Sequence, residues 1–318
     1  MTLEQLGRLS NYSVVSATIV LAFAFVAYAA QWGLARHVAP ARPVTVPEGG
    51  GATVPESGST DTGPEADRSD TAGGIGFSLT VLAELLLVIG VVTRGLAAER
   101  VPWGNMYEFS CIAIMGALAV YLLLVRLWDI DWIGALVTVF AMIVLGASML
   151  FVYVPPGPLV PALDSYWLVI HVVCAILAGA AFLVGAAASV LYLLKARAEQ
   201  NTPEDQRVGF LWRIPSSAVI DQVAYRVHAF AFPIWTFAAL IAGPIWAQAA
   251  WGRYWGWDAK EVWAFITWVG YAAYLHARAT AGWRGKAAAI LALLAFSTFL
   301  FNYIGVNLFV GGLHSYAK

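Results

Sequence analysis

Long apolar runs recur along the chain, and they indicate that it folds in a membrane. Of the 318 residues, 60% are hydrophobic and only 12% are charged, a balance that a water-soluble fold of this length cannot bury. Several runs reach about 20 residues with few charges, the length that a helix needs to cross roughly 30 Å of hydrocarbon. We therefore predict an all-α integral membrane protein with about eight transmembrane helices. The predicted spans cover about 12–31, 75–95, 105–127, 132–153, 165–194, 220–246, 259–279 and 286–309.

A segment of the opposite composition separates the first predicted span from the others. Residues 38–73 contain five prolines, a run of three glycines and scattered acidic and hydroxyl side chains. Such a stretch buries too little apolar surface to offset the entropy lost on ordering, so we expect a disordered linker. The chain then divides into a first transmembrane helix over 1–37, which we expect to be retained and not cleaved as a signal peptide, this linker, and a seven-helix membrane domain over 74–318.

The basic residues near the helix ends set the expected orientation. With eight spans the loops alternate between the two sides, and one set is richer in Lys and Arg, chiefly around 195–213 and 278–286. Basic loops stay on the cytoplasmic side, so we expect both termini and the loop at 247–258 to face outward from a bacterial cytoplasmic membrane. The net charge of −1 argues against nucleic acid as a partner.

Six of the fourteen tryptophans fall between residues 246 and 268. An interfacial aromatic belt is one explanation, since Trp and Tyr favour the level of the lipid headgroups. A belt needs only one or two rings at each helix end, however, and this external loop, 246–258, holds more. We interpret it as a platform for a large, flat, apolar ligand, with Arg253 and Lys260 meeting anionic groups at its rim. The rings crowded there belong to Trp251, Tyr254, Trp255 and Trp257.

Carboxylates beside and before this loop have structural interpretations. Asp258 directly precedes a predicted helix and Glu261 follows three residues later, which is typical of a capping box. Glu84 and Glu108 fall inside predicted spans, where a carboxylate must pair, take up a proton or line a wet cavity. We expect each of these two to pair with an arginine, such as Arg226 or Arg278.

Two histidines are predicted to lie at the level of the aromatic loop. His171 is near the outer end of the fifth span, and His314 is in the outward C-terminal tail. A single histidine of this kind is usually a hydrogen-bonded interfacial residue. Two neutral imidazoles beside a Trp-rich platform, however, are suited to ligating a haem iron from both faces. We therefore predict that His171 and His314 bind the iron of haem b at this site.

The other histidines lie at different depths. His276 follows Asp258 by 18 residues on one predicted helix, hence roughly 27 Å deeper at 1.5 Å per residue. An ionisable group inside the membrane is a functional candidate, so we predict that His276 is a haem ligand within the bilayer. His228, near the inner end of the sixth span, is a weaker candidate for the same role, and His37 is expected to be solvated.

Several motifs together resemble the Trp-rich "WWD" segment and the C-terminal part of the CcsA/ResC-type cytochrome c biogenesis proteins. The resemblance runs over roughly 100–318 and departs from the family pattern at Ala259, where proline is expected. The motifs are Trp251-Gly-Arg-Tyr-Trp255-Gly-Trp257-Asp258-Ala-Lys260-Glu261, Tyr274-Leu-His276-Ala-Arg278, Gly282-Trp-Arg-Gly285, Gly305-Val-Asn307, Gly312-Leu-His314-Ser-Tyr316 and, more weakly, Asn105-Met-Tyr107-Glu108.

The resemblance implies a haem-handling role in the system II pathway. It implies a ResB-type membrane subunit as partner, apocytochrome c as client and a thiol-reducing thioredoxin-like protein as a further partner. It also implies His171 and His314 as ligands of the outer haem and His276 as a ligand in the membrane. The chain would then form part of a holocytochrome c synthase, or haem lyase, complex that joins haem vinyl groups to a CxxCH motif. A di-histidine haem protein for quinone-linked electron transfer and a haem exporter without ligase activity remain alternatives.

Overall fold

The structure, a computed structural model, describes residues 1–35, 64–158, 163, 165–280 and 282–313. This part of the chain contains helices and no strand, which confirms the predicted all-α class. The long helices are α1 (Leu3–Leu34), α2 (Pro64–Ala98), α3 (Met106–Trp128), α4 (Gly134–Phe151), α5 (Tyr166–Asn201), α7 (Ser217–Phe237), α9 (Ala259–Thr280) and α10 (Lys286–Leu300). The shorter ones are α6 (Phe210–Arg213), α8 (Gly243–Trp251) and α11 (Val306–Phe309).

Seven helical segments among the described residues are long and apolar enough to cross a membrane, so the chain is a multi-pass membrane protein. The predicted span at 259–279 corresponds to α9, which is not one of these seven. At 22 residues α9 has the length to cross, roughly 33 Å. Its many Trp and Tyr rings, with His276 and Arg278, lower its mean hydropathy below that of the others.

The start of α2 corrects the predicted boundary of the linker. Helix α2 begins at Pro64, so residues 64–73 of the segment predicted as disordered are helical. Proline suits the first helical position, since its missing N–H has no helical partner there in any case. The hydroxyl of Ser69 donates to the carbonyl of Gln31 in α1 at 3.0 Å, a long-range contact that composition cannot show. The rest of that segment and His37 lie outside the described residues.

Helix α5 lies at the centre of the bundle and packs against α3, α7 and α10. Most of its residues between 178 and 191 are buried, and many of them are Ala or Gly. Small side chains let neighbouring helices approach closely, which is how helices associate where lipid gives no hydrophobic driving force. The middle of α5 is therefore packed closely against its neighbouring helices.

Two π-helical turns interrupt the helices around α5. One, Ala238–Ala242, joins α7 to α8, and the other, Phe301–Gly305, joins α10 to α11. Such turns widen the helix by one residue, redirect a backbone carbonyl and are frequent at functional sites. Both lie towards the end of the bundle at which the loop 252–258 is found, hereafter the Trp-rich end.

Candidate functional site

A deep pocket opens at the Trp-rich end of the bundle. Its cavity volume is about 190 Å³, and the pocket is partly open to solvent. Its wall combines the first turns of α3, α5 and α9 with the last turns of the α7–α8 and α10–α11 segments. Nine aromatic rings line this wall. The rings are those of Trp103, Phe109, Trp235, Trp246, Trp251, Tyr254, Trp255, Phe299 and Tyr303.

His171 lines this pocket from the second turn of α5, as predicted from its position in the chain. Its Nδ1 lies 2.9 Å from the carbonyl oxygen of Ala238, and its ring stacks at 6.0 Å on that of Trp246. Because a carbonyl only accepts, Nδ1 carries the proton, and in the neutral form of the ring the lone pair is on Nε2. Such a second contact fixes the tautomer and plane of a histidine ligand.

The π-helical turn is what places the Ala238 carbonyl beside this ring. Ala238 is the first residue of the turn, and its carbonyl accepts from the amide of Gly243 five residues later. In an ordinary helix this carbonyl would accept from the amide four residues later, that of Ala242. The carbonyl that contacts the His171 imidazole is thus part of the π-helical turn, a contact that the sequence alone did not reveal.

The Trp-rich loop forms part of the pocket wall. Trp251, Tyr254 and Trp255 line the pocket, and Trp251 packs edge-on against the buried Trp246 with ring centroids 4.8 Å apart. Trp257 does not line the pocket and is 66% exposed. Its ring instead contacts Trp255 edge-on at 5.7 Å, so it supports the platform from outside.

Asp258 and Glu261 cap α9 as predicted. The Asp258 carboxylate accepts from the Lys260 amide at 2.9 Å, and the Glu261 carboxylate accepts from the amides of Asp258 at 3.0 Å and Gly256 at 2.8 Å. Arg253 approaches Glu261 at 3.4 Å, which places its charge on the cap and away from the pocket lining. These bonds fix where the loop ends and how Lys260 enters the wall.

The same aspartate also binds the C-terminal segment. Asp258 Oδ2 accepts from the amide of Leu313 at 2.9 Å, and Gly312 packs so closely that a Cβ there would lie 2.6 Å from the same oxygen. The chain after α11 is thus held against the loop. His314 lies outside the described residues, directly after this contact.

Three polar groups in the pocket wall lack a hydrogen-bond or ion-pair partner among the described residues. The indole Nε1 of Trp255 and the Oδ1 of Asn302 are buried without a hydrogen-bond partner among the described residues. Lys260 lines the same pocket, and its ammonium has no carboxylate within 4.0 Å in this part of the chain. A buried polar atom without a partner is costly, so such atoms mark a place where a ligand or water binds.

The two deeper histidines occupy contrasting positions. His276 is exposed on the surface of α9, fifteen residues and roughly 22 Å beyond Glu261, and does not line the pocket. His228 is fully buried between the rings of Phe182, Tyr271 and Tyr274, and neither of its nitrogens has a hydrogen-bond partner among the described residues.

Glu108 pairs with arginine, as predicted, but its partners are not the two arginines given as examples, Arg226 and Arg278. Glu108 is buried in the first turn of α3 and binds Arg94 at 2.9 Å and Arg100 at 2.8 Å. Arg226 and Arg278 lie toward the other end of the bundle, where Arg278 forms a bidentate pair with Asp221. Glu84 forms no ion pair with an arginine among the described residues, contrary to the prediction. Its Oε2 is buried there without a hydrogen-bond partner.

Sequence reasoning missed the part of the wall that comes from α3, α7 and α10. Trp103, Trp235, Asn302 and Tyr303 carry no local signal that separates them from other aromatic or polar residues in apolar runs. The segments 105–108 and 305–307, quoted above among the family motifs, flank this wall, and Asn105 and Asn307 line the pocket. They were the available indication that the first turn of α3 and the end of α10 contribute.

Comparison with known proteins gives matches over most of the chain. A family model described as Cytochrome C assembly protein matches residues 103–314. The chain is 36% identical to the Cytochrome c biogenesis protein CcsA of Guillardia theta over 257 residues, 76% of this chain and 85% of that protein. It is 33% identical to the protein of the same name from Synechococcus sp. (strain JA-3-3Ab) over 300 residues, 77% and 84% of the two chains. For that of Prochlorococcus marinus the identity is 36% over 264 residues, covering 75% and 82%.

Proposed function

The chain belongs to the cytochrome c assembly protein family, and from this premise we propose that it holds haem b in the aromatic pocket for attachment to apocytochrome c. Its general role is cytochrome c biogenesis in a membrane. In this proposal the Trp-rich end faces outward, and the iron of the substrate haem is ligated by His171 from one side and His314 from the other. A ResB-type subunit completes the haem lyase complex.

The observation that carries the proposal is the position of His171 in the pocket wall. Its ring contacts the Ala238 carbonyl through Nδ1 and stacks on Trp246, inside a pocket whose wall holds nine further aromatic rings, Trp246 included. A flat macrocycle is bound well by stacked rings, and its iron by an oriented imidazole. The unpartnered polar atoms of Trp255 and Asn302 also fit a ligand that carries polar groups at its edge.

The contribution of the chain to attachment is positioning. Each thioether forms when a cysteine S–H adds across a haem vinyl C=C, the sulfur bonding to one carbon and the hydrogen to the other, with no net oxidation. Holding the vinyl edge beside the CxxCH motif replaces a bimolecular encounter by an oriented one. Replacement of one protein imidazole by the histidine of CxxCH gives a release step. The cysteines must be thiols, which is the role proposed for a thioredoxin-like reductant.

His276 is proposed as a haem ligand within the membrane, at a site shared with the partner. Its side chain is exposed on the surface of α9 and is not turned into the pocket. A haem bound there is covered on one face by this chain, so the ResB-type subunit supplies the other. This arrangement explains why an ionisable side chain is exposed on a helix inside a bilayer.

The test is co-expression with the partner subunit and a reporter apocytochrome. The double variant His171→Gly, His314→Gly is expected to lose the outer-site Soret absorption and the haem-stained reporter. The control is His37→Gly, a histidine that lies before the matched segment 103–314. Normal reporter maturation in the double variant would refute the proposal. Haem binding without maturation in any strain would favour an exporter, and normal maturation in a strain that lacks the chain would favour electron transfer.

A further inference from the structure

Several polar groups of the pocket wall lie where α9 begins and α10 ends. Lys260 is the second residue of α9, Trp255 precedes that helix by four residues, and Asn302 lies in the π-helical turn after α10. All three line the pocket. Asn302 is only 8% exposed, so its unpartnered amide oxygen is held in the wall and does not face bulk solvent.

The carboxylates beside these groups already accept hydrogen bonds from other donors. Glu261 also lines the pocket, but its carboxylate already accepts from two loop amides and approaches Arg253. Asp258 accepts from the amides of Lys260 and Leu313. Both acids therefore already have donors, whereas the ammonium of Lys260 has no carboxylate within 4.0 Å among the described residues. The N-terminal end of α9, a helix of 22 residues, adds a partial positive charge on the same side.

We propose that Lys260, the indole N–H of Trp255 and the side-chain amide of Asn302 form a carboxylate subsite for the propionates of the bound tetrapyrrole. The inference rests on the proposed function and adds the direction in which the ligand binds. The ammonium and the indole are donors as they stand. The Asn302 amide is not held by a bond to its oxygen, so a half-turn about its terminal torsion presents its NH₂ group.

The subsite orients the macrocycle. In haem the two propionates occupy one edge of the ring and the two vinyl groups lie away from that edge. Anchoring the carboxylates where α9 begins and α10 ends turns the vinyl groups toward the opposite side of the pocket. Stacking on Trp251 and Trp255 alone does not select this orientation, because an aromatic face does not distinguish the edges of the ring.

The test compares two probes, haemin and its dimethyl ester, which lacks both carboxylates. Purified full-length chain in complex with its partner, made in haem-depleted cells, is titrated with each and followed by the Soret band. The unmodified chain is expected to bind haemin about tenfold more tightly than the ester, the value of one charge-assisted hydrogen bond. Lys260→Met should remove this preference and leave ester affinity unchanged. Trp255→Phe should reduce it while keeping the stacked ring.

Two further variants distinguish loss of the carboxylate contact from a general effect on folding. Lys260→Arg retains the charge and should restore the preference if Lys260→Met acts through the carboxylate and not through folding. Lys286→Met makes the same substitution at the start of α10, far from the pocket, and should change nothing. Equal affinity for the two probes in the unmodified chain, or equal loss of both in Lys260→Met, would overturn the subsite. Absence of any Soret band with either probe would instead overturn the proposed function.

Discussion

The carboxylate of Asp258 accepts a hydrogen bond from the backbone amide of Leu313 at 2.9 Å and joins segments 55 residues apart. One oxygen of this side chain caps α9 and the other holds the C-terminal segment. The end of the Trp-rich loop and the residue before His314 are therefore positioned by a single side chain. If His314 ligates haem, its placement depends on this contact.

Substitution of Gly312 tests that dependence. In Gly312→Ala the new Cβ would lie 2.6 Å from Asp258 Oδ2 and should displace the segment. We expect conversion of six-coordinate low-spin haem to a five-coordinate high-spin form, seen as a Soret shift. Gly311→Ala is the matched control, since a Cβ there meets nothing within 4 Å. Equal spectra for the two variants would argue against a role of the contact in ligation.

Substitution of Gly243 tests the orientation of His171. A Cβ at Gly243 would lie 3.2 Å from both the His171 ring and the Ala238 carbonyl, so the ring must shift by a few tenths of an ångström. We expect Gly243→Ala to lower the haem affinity of the outer site several-fold, with a roughly unchanged unfolding temperature. Gly146→Ala, with open space around its Cβ, should leave haem binding unchanged. Loss of stability without a change in haem affinity would contradict the orienting role.

Glu108 is predicted to stabilise the folded state at the Trp-rich end. Its carboxylate is buried between two arginines and also accepts from the Gly104 amide at 2.8 Å, next to the pocket residue Trp103. Removing one partner of a buried ion pair costs about 3–5 kcal/mol, so Glu108→Gln should lower the unfolding temperature in detergent markedly. Glu4→Gln removes an exposed pair with Arg8 and should have little effect. Equal unfolding temperatures for the two variants would show that the buried cluster does not stabilise the fold.

His228 and His276 give opposite expectations. The buried His228 has no hydrogen-bond partner among the described residues, so His228→Phe should keep haem binding and leave stability unchanged or raised by about 1–3 kcal/mol. His276→Phe should instead remove the membrane haem, because the predicted ligand is lost. Absorption spectra and thermal unfolding of the partnered complex distinguish the two. Loss of haem in His228→Phe would assign the ligand role to the buried histidine.

Local features of the site were predictable from sequence because they act over a few residues. The capping of α9 by Asp258 and Glu261 needs only their spacing, and the crowding of Trp251, Tyr254 and Trp255 is visible in the printed chain. The arginine partners of Glu108 and the burial of His228 were not. Apolar side chains surround most of these helices, so no polar face shows which side of a helix meets which neighbour.

The sequence by itself determined the membrane environment, the helical class and the position of the aromatic loop, since these follow from length, composition and local spacing. The tertiary structure alone decided that Ala238 fixes the ring of His171, that Asp258 holds Leu313, and that Asn302 and Lys260 share one wall. Each of these contacts depends on the rotation of a helix about its axis and on the choice of neighbours. Both are set by packing between segments far apart in the chain, through small residues and a π-helical turn that no local pattern specifies.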